Sequence, residues 1–346
     1  MHITFSTNYT LILAVLVLLL GKFLVSRIRF LRDFNIPEPV AGGLLIAAVI
    51  YILHATMGWS FGFESSLQTA FMLAFFASIG LSANFAKLRQ GGIGLVIFLC
   101  VIVVFILVQN AVGIGLAKAL GLDPLVGLVA GSITLVGGHG TAGAWGSVLE
   151  QQHGLTGATT LGMACATFGL VIGGIMGGPL AKRLITQHKL AKPRSEADQL
   201  GSTPAAGHEQ NDFVNLESPS KTPRLITADA AIETLALFAA CLAFGEFMTH
   251  VTKGTAIQLP TFVWCLGGGV IIRNVLDYIF GFKVFDRAID VFGNVSLSIY
   301  LAIALLSLKL WELTDLAGPL VIILAVQTLV MALYAMFVTF RIMGKN

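Results

Sequence analysis

Runs of apolar residues long enough to cross a bilayer, separated by short polar or glycine-rich breaks, follow one another along almost the whole chain. A spanning helix needs about 20 apolar residues. The pattern predicts such segments at 9–26, 40–56, 70–86, 94–117, 158–181, 227–250, 257–276, 293–311 and 317–340. One stretch interrupts it. Residues 131–146, Gly-Ser-Ile-Thr-Leu-Val-Gly-Gly-His-Gly-Thr-Ala-Gly-Ala-Trp-Gly, lie between apolar flanks. Yet Gly137, Gly138, Gly140, Gly143 and Gly146 each disfavour a helix interior by about 1 kcal/mol relative to Ala. Ser132, Thr134, His139 and Thr141 add hydroxyls and an imidazole to the same span. At membrane depth, irregular backbone survives only when buried in protein or lining a watery cavity. The stretch is therefore expected to form a re-entrant hairpin over 124–149, with its Gly-Gly-His-Gly tip offering N–H and C=O groups to a binding site. A tightly packed glycine-rich spanning helix is the alternative, because glycine also marks membrane helix contacts.

Charge placement bears on that choice. With the N-terminus outside and 124–149 entering and leaving on the outer side, 18 of the 21 Lys and Arg residues fall on the cytoplasmic side. Lys118, Lys253 and Lys309 are the exceptions. This is the positive-inside bias of membrane proteins, and a through-going helix at 124–149 would reverse every later loop and destroy it. Residues 187–224, with Pro193, Pro204, Pro219 and Pro223 and little apolar periodicity, read as a flexible cytoplasmic linker. His208-Glu209 within it has no second His at zincin spacing.

The linker separates two halves, 1–186 and 225–346, that echo each other. Pro37 with Gly42-Gly43 returns as Pro260 with Gly267-Gly268. Ala77, Leu81 and Ser82 return as Ala302, Leu306 and Ser307, and Val108-Gln109 as Val326-Gln327. The charge rule starts one half outside and the other inside, so the expected fold is an all-α polytopic membrane protein of two inverted-topology repeats, an arrangement of secondary transporters. Half two reaches Gly344-Lys345-Asn346 where half one has Gly121-Leu122-Asp123 ahead of its hairpin. The second repeat is thus expected to lack its own hairpin and last helix.

Composition sharpens the class more than the function. Apolar residues make up 56% and charged residues 11%, against about 25% charged in soluble domains. The net charge of +3 names no partner, and nothing points to nucleic acid. Arg27, Arg29 and Arg32 follow the first apolar run and no small-residue cleavage site does, so that run reads as a spanning helix and not a removed signal. Cys100, Cys165, Cys241 and Cys265 sit singly in apolar runs, as inert core residues do. No Walker motif supports ATP-driven transport.

Neutral polar groups lie in or near the spans: Asn84, Gln109, Asn110, Asn294, Ser296, Ser298 and Gln327. Uncharged oxygens suit a hard cation such as sodium, although each alone is more often a helix-packing hydrogen bond. The sodium candidates are Ser132, Thr134, Asn84, Gln109, Asn294, Gln327 and Glu38. Glu38, between Pro37 and Pro39, is either a solvated helix-start charge or a gate or cation ligand. The substrate candidates are Thr134, Gly137, Gly138, His139, Gly140, Thr141, Asn84 and Ser296. His139 is a structural donor or a substrate contact, with the two equally weighted. Gly169, Gly173 and Gly177 form a small-residue stripe for close packing, in which Thr167 is the group worth testing. Asp277, Asp286 and Asp290 alternate with basic residues and read as solvated.

Taken together, Ile36–Leu45, Met72–Gly92, Val108–Trp145, Met163–Pro179, Gly293–Leu313 and Val326–Asn346 resemble the bacterial sodium/glutamate symporter family. The resemblance implies sodium-coupled uptake of L-glutamate across the bacterial inner membrane by a homodimer with an elevator-type movement. It also implies two Gly-rich re-entrant loops entering from opposite sides, the first matched by Gly137, Gly138, His139 and Gly140. A citrate or hydroxycarboxylate carrier coupled to sodium is the alternative within transport. A membrane-embedded enzyme using His139 is disfavoured by the lack of a carboxylate cluster near it in sequence, and a channel would differ in being unable to concentrate its solute.

Overall fold

The computed structural model describes residues 2–33, 36–187, 226–255, 257–282, 284–311 and 316–344. The helices are α1 (Thr7–Arg27), α2 (Arg29–Asp33), α3 (Glu38–Met57), α4 (Ser66–Ser82), α5 (Phe85–Gln90), α6 (Gly92–Ala119) and α7 (Pro124–Leu128). They continue with α8 (Gly138–His153), α9 (Ala158–Gln187), α10 (Ala228–Val251), α11 (Thr261–Tyr278), α12 (Asp286–Leu306), α13 (Ala317–Tyr334) and α14 (Phe340–Met343). Wider π-helical turns at Val129–Ile133 and Ala335–Thr339 extend α7 and join α13 to α14. Among the described residues, seven helices are long and apolar enough to cross a membrane. The protein is thus an all-α polytopic membrane protein by length and composition. The expected linker at 187–224 lies outside the described residues, apart from Gln187, which closes α9.

Several features depart from the sequence pattern. The span expected at 70–86 is the 17-residue helix Ser66–Ser82, and the one expected at 158–181 runs on to Gln187. Strands β1 (His2–Phe5) and β2 (Ser60–Phe63) pair in parallel, with Phe5 stacked on Phe61 and Phe63. The segment expected at 293–311 begins earlier, at Asp286, and its helix ends at Leu306. Its first two turns mix charge with apolar residues, so an apolar-run criterion misses a start that helical periodicity would reveal.

Packing places the ends of these helices. The Pro-initiated helices α3 and α11 lie against α1 and α10 respectively, while α4 and α12 pack on each other and on those pairs. Small residues set the spacing. A Cβ at Gly80 would strike the Leu266 carbonyl, and one at Gly42 the Val17 carbonyl, so these helices meet backbone to backbone. α13 runs antiparallel to α6, with Gln327 Nε2 donating to the Gln109 carbonyl (2.8 Å) and Tyr334 Oη to the Val101 carbonyl (2.8 Å). Ala117 and Leu320 share one apolar cluster at the other end of that pair. The ends of α6 and α12 and the starts of α7 and α13 consequently gather at one face of the bundle.

Candidate functional site

The broken element sits between α6, α9 and α12. Asp123 caps α7 by accepting from the Leu125 N–H, and Pro124 occupies the first helical position, where a missing donor costs nothing. The arm runs as far as Gly131, whose φ of −110° and ψ of −126° leave the helix. Chain direction changes over Thr134–Gly137, and α8 starts at Gly138 with φ +74°, a left-handed conformation that suits glycine. Nothing lies within 4 Å of where a Gly138 Cβ would be. The tip is therefore open at that point, with the first N–H groups of α8 lacking intrahelical partners.

Side chains lock the turn. Thr141 Oγ1 donates to the Ile133 carbonyl (2.7 Å), closing the break, and Thr134 Oγ1 donates to the Val129 carbonyl (2.6 Å). The Thr167 hydroxyl gives its one hydrogen to the Met163 carbonyl (2.8 Å). The His139 Nε2 contact with Thr167 Oγ1 at 3.0 Å therefore has the imidazole as donor. Tyr300 of α12, fully buried, donates its phenol hydrogen to the Gly140 carbonyl (3.1 Å). A Cβ at Gly143 would strike that same phenol.

α8 then runs antiparallel to α9, with Gly146 against Thr159 and His139 against Thr167. Its far end, Glu150–Gln152, borders a cavity of about 720 Å³ that Gln68, Thr69, Thr249, Gln258 and Lys309 also line. Lys309 follows α12, so this end of α8 lies at the same face as the start of α7. Along α4, Met72 lines the cavity and Phe75, one turn on, meets Gly140. Along α8, Ala144 lines the cavity one turn from Gly140. The tip thus lies one helical turn beyond the cavity floor. Phe75, Phe76, Phe262 and Trp145 form an aromatic layer there, with Phe76 and Phe262 ring centroids 4.6 Å apart.

The sequence candidates divide among three places. Gly137, Gly138, His139, Gly140, Thr141 and Thr134 gather at the tip. Ser132, Gln109 and Gln327 come together behind it, joined by Asn110, whose Oδ1 accepts from Ser132 Oγ (2.6 Å). Ser296 is buried in α12 one turn before Tyr300. The others lie elsewhere. Asn294 is exposed on α12, Glu38 is exposed in the first turn of α3, and Asn84 Nδ2 donates to Asp277 Oδ2 (2.7 Å) at the opposite end of α4 from the cavity. Asp277 and Asp286 are not the solvated charges expected from the sequence. Arg273 is buried and binds both, through Nε to Asp277 (3.0 Å) and Nη1 to Asp286 (2.6 Å). Asn274 accepts from the Phe85 N–H beside them. Tyr300 and Phe75 were missed. A tyrosine inside an apolar run, whose hydroxyl requires a partner when buried, was the available signal for the first.

Fold and site define a class: a multi-pass membrane protein with a broken helix beside a polar-walled cavity, a layout found in small-solute carriers. The family is also clear, because the family model of the sodium/glutamate symporter matches residues 3–346, and the chain belongs to that family. It is 52% identical to a sodium/glutamate symporter of Haemophilus influenzae over 100% of its own length and 83% of that protein. It is 52% identical to those of Escherichia coli and Shigella flexneri over 98% of its length and 82% of each. These relatives bear the names of transporters and not of enzymes. No solved structure matches the chain.

Proposed function

We propose that this chain carries L-glutamate into the cell together with sodium across the bacterial inner membrane, and that 124–149 is a re-entrant hairpin whose tip binds the substrate. The observation that carries the reading is the open left-handed Gly138 at the start of α8, one turn beyond the floor of a cavity with polar walls. Helix N-termini present unpaired N–H groups and a positive dipole end, which suit a carboxylate. Both ends of the broken element lie at one face, as a re-entrant segment requires. Family membership and the printed names of the relatives support sodium and glutamate over citrate.

The repeat organisation belongs to the same proposal. The packing of α3 on α12 has its counterpart in α11 on α4, and Gln109 of α6 meets Gln327 of α13, its equivalent in the echoed sequence. Equivalent residues meet in this way where a two-fold axis passes between inverted repeats. The N-terminus is assigned to the periplasm, with the cavity opening on that side. An elevator-type displacement of the tip and a homodimer complete the reading, as the family resemblance implies. The test is uptake of labelled glutamate by the purified chain in sealed vesicles under an inward sodium gradient. Accumulation competed by unlabelled glutamate and not by citrate is expected. Equal competition by citrate would favour the hydroxycarboxylate carrier.

A further inference from the structure

Behind the tip, α6, α13 and the first arm of the broken element meet at a cluster of neutral amides. Gln109 and Gln327 are both fully buried. Gln327 Nε2 donates to the main-chain oxygen of Gln109 at 2.8 Å, and Ser132 Oγ donates to Asn110 Oδ1 at 2.6 Å. A Cβ built on Gly131 would lie 3.3 Å from Gln327 Nε2, 3.6 Å from the Gln109 carbonyl oxygen and 3.8 Å from Asn110 Oδ1. The place that another residue's Cβ would take at the break is thus bounded by polar atoms, the nearest in tight contact. Both atoms of the Gln109 amide head and Oε1 of Gln327 have no hydrogen-bond partner among the described residues. Orphaned buried polar atoms are costly, and such atoms on both of the glutamines that join α6 to α13 call for a partner.

We propose that this cluster is a site for a monovalent cation and that sodium occupies it, an assignment that rests on the sodium-coupled reading above. A hard cation of this size takes oxygen ligands at about 2.3–2.6 Å, as calcium does. The cluster offers the Gln109 main-chain carbonyl, Asn110 Oδ1, Ser132 Oγ and the Gln327 amide oxygen. None is a carboxylate, so the site provides dipoles suited to a single charge. Gln327 is the switch. Its amide nitrogen and oxygen are nearly equal in shape. Turning the head over brings Oε1 to where Nε2 now meets the Gln109 carbonyl, and the two oxygens then face one ion. As the side chain stands, its Nε2–H group meets the Gln109 carbonyl where a positive charge would otherwise sit. Because Gly131 and Ser132 belong to the arm that leads to the tip, filling the site would fix the arm that positions Gly138.

The test uses the purified full chain without glutamate. Its unfolding temperature is measured in sodium, potassium and choline chloride at constant ionic strength, with the sodium titration repeated on Gln327→Leu and Asn110→Asp. Sodium alone should raise the unfolding temperature of the unaltered chain. Gln327→Leu should raise the half-saturating sodium concentration about tenfold or more, the scale of loss when support of a metal site is removed. Asn110→Asp, which adds a charged ligand, should lower it. No distinction among the three cations in the unaltered chain would overturn the site. So would half-saturation unchanged in both variants, and if Gln327→Leu fails to fold, an unchanged Asn110→Asp decides against it alone. Sodium-specific protection without sodium-driven glutamate accumulation would discard the symport reading and leave the site. Sodium-driven uptake indifferent to Asn110→Asp would do the reverse.

Discussion

Gly138 gives the sharpest test of the tip. Its φ of +74° places it in the left-handed region, and a Cβ there would meet nothing within 4 Å. Replacement therefore has a backbone cost without a packing cost. For an L-residue that cost is about 1–2 kcal/mol, with a β-branched side chain worst and asparagine best tolerated. Against a folding stability of about 5–15 kcal/mol, Gly138→Asn, Gly138→Ala and Gly138→Val should all insert and fold, and their unfolding temperatures should fall in that order. Uptake should not follow the same order. If substrate approaches the open N–H groups, any side chain at 138 occupies the approach, so all three variants should lose most sodium-driven uptake. Gly173→Ala serves as the control, because its Cβ also meets open space and its φ is ordinary helical. It should change neither stability nor uptake much. Near-normal uptake by Gly138→Val would show that the tip is not where substrate binds.

The remaining expectations concern the supports of the site. Gly143→Ala drives a Cβ into the Tyr300 phenol and Met163 and should cost about 1–3 kcal/mol by overpacking, lowering the unfolding temperature more than Gly138→Ala does. Tyr300→Phe removes one hydrogen bond to the Gly140 carbonyl and should cost about 0.5–1.5 kcal/mol, read as a small stability loss with a larger loss of uptake. Arg273→Met removes the buried cation that Asp277 and Asp286 share and should destabilise by about 1–3 kcal/mol, less than for a fully buried pair because both acids are partly exposed and Asp277 keeps its Asn84 donor, with partial recovery when both acids are also neutralised. An imposed inside-negative potential should raise glutamate accumulation if more than one sodium accompanies each glutamate, since moving one charge gains about 2.3 kcal/mol per 100 mV; indifference to the potential would point to one sodium. Cysteines placed at Asp123, Gly154 and Gly254 should be labelled from one side of the membrane and one at Gly281 from the other.

Most helices were legible in the sequence because a bilayer-long apolar run is a strong local signal, and bounds such as Thr7–Arg27 and Gly92–Ala119 lie within about two residues of the expected 9–26 and 94–117. The break at 131–138 was legible for a related reason: several glycines with polar neighbours have no cheap place in a straight membrane helix. What eluded sequence reading depends on distant partners. The Arg273–Asp277 pair has a local trace, four residues apart on α11, but Asp286 reaches Arg273 only through the turn between α11 and α12. Asn84 and Asn110 are both neutral amides in or near apolar spans, and neither carries a local sign of its partner. The packing of distant elements sends one to the Arg273 cluster and the other to the break at Gly131. Tyr300 lies far from Gly140 in sequence, so its hydrogen bond has no local trace.

The central claim is coupling between sodium and glutamate, and reversal of flux tests it most directly. Vesicles containing the purified chain are loaded with labelled glutamate at equal concentration inside and out, and the direction of the sodium gradient is then set. With sodium higher outside, label should accumulate inside. With sodium higher inside, it should leave against its own gradient, and with potassium in place of sodium the distribution should stay level. A net flux that ignores the direction of the sodium gradient would contradict the account.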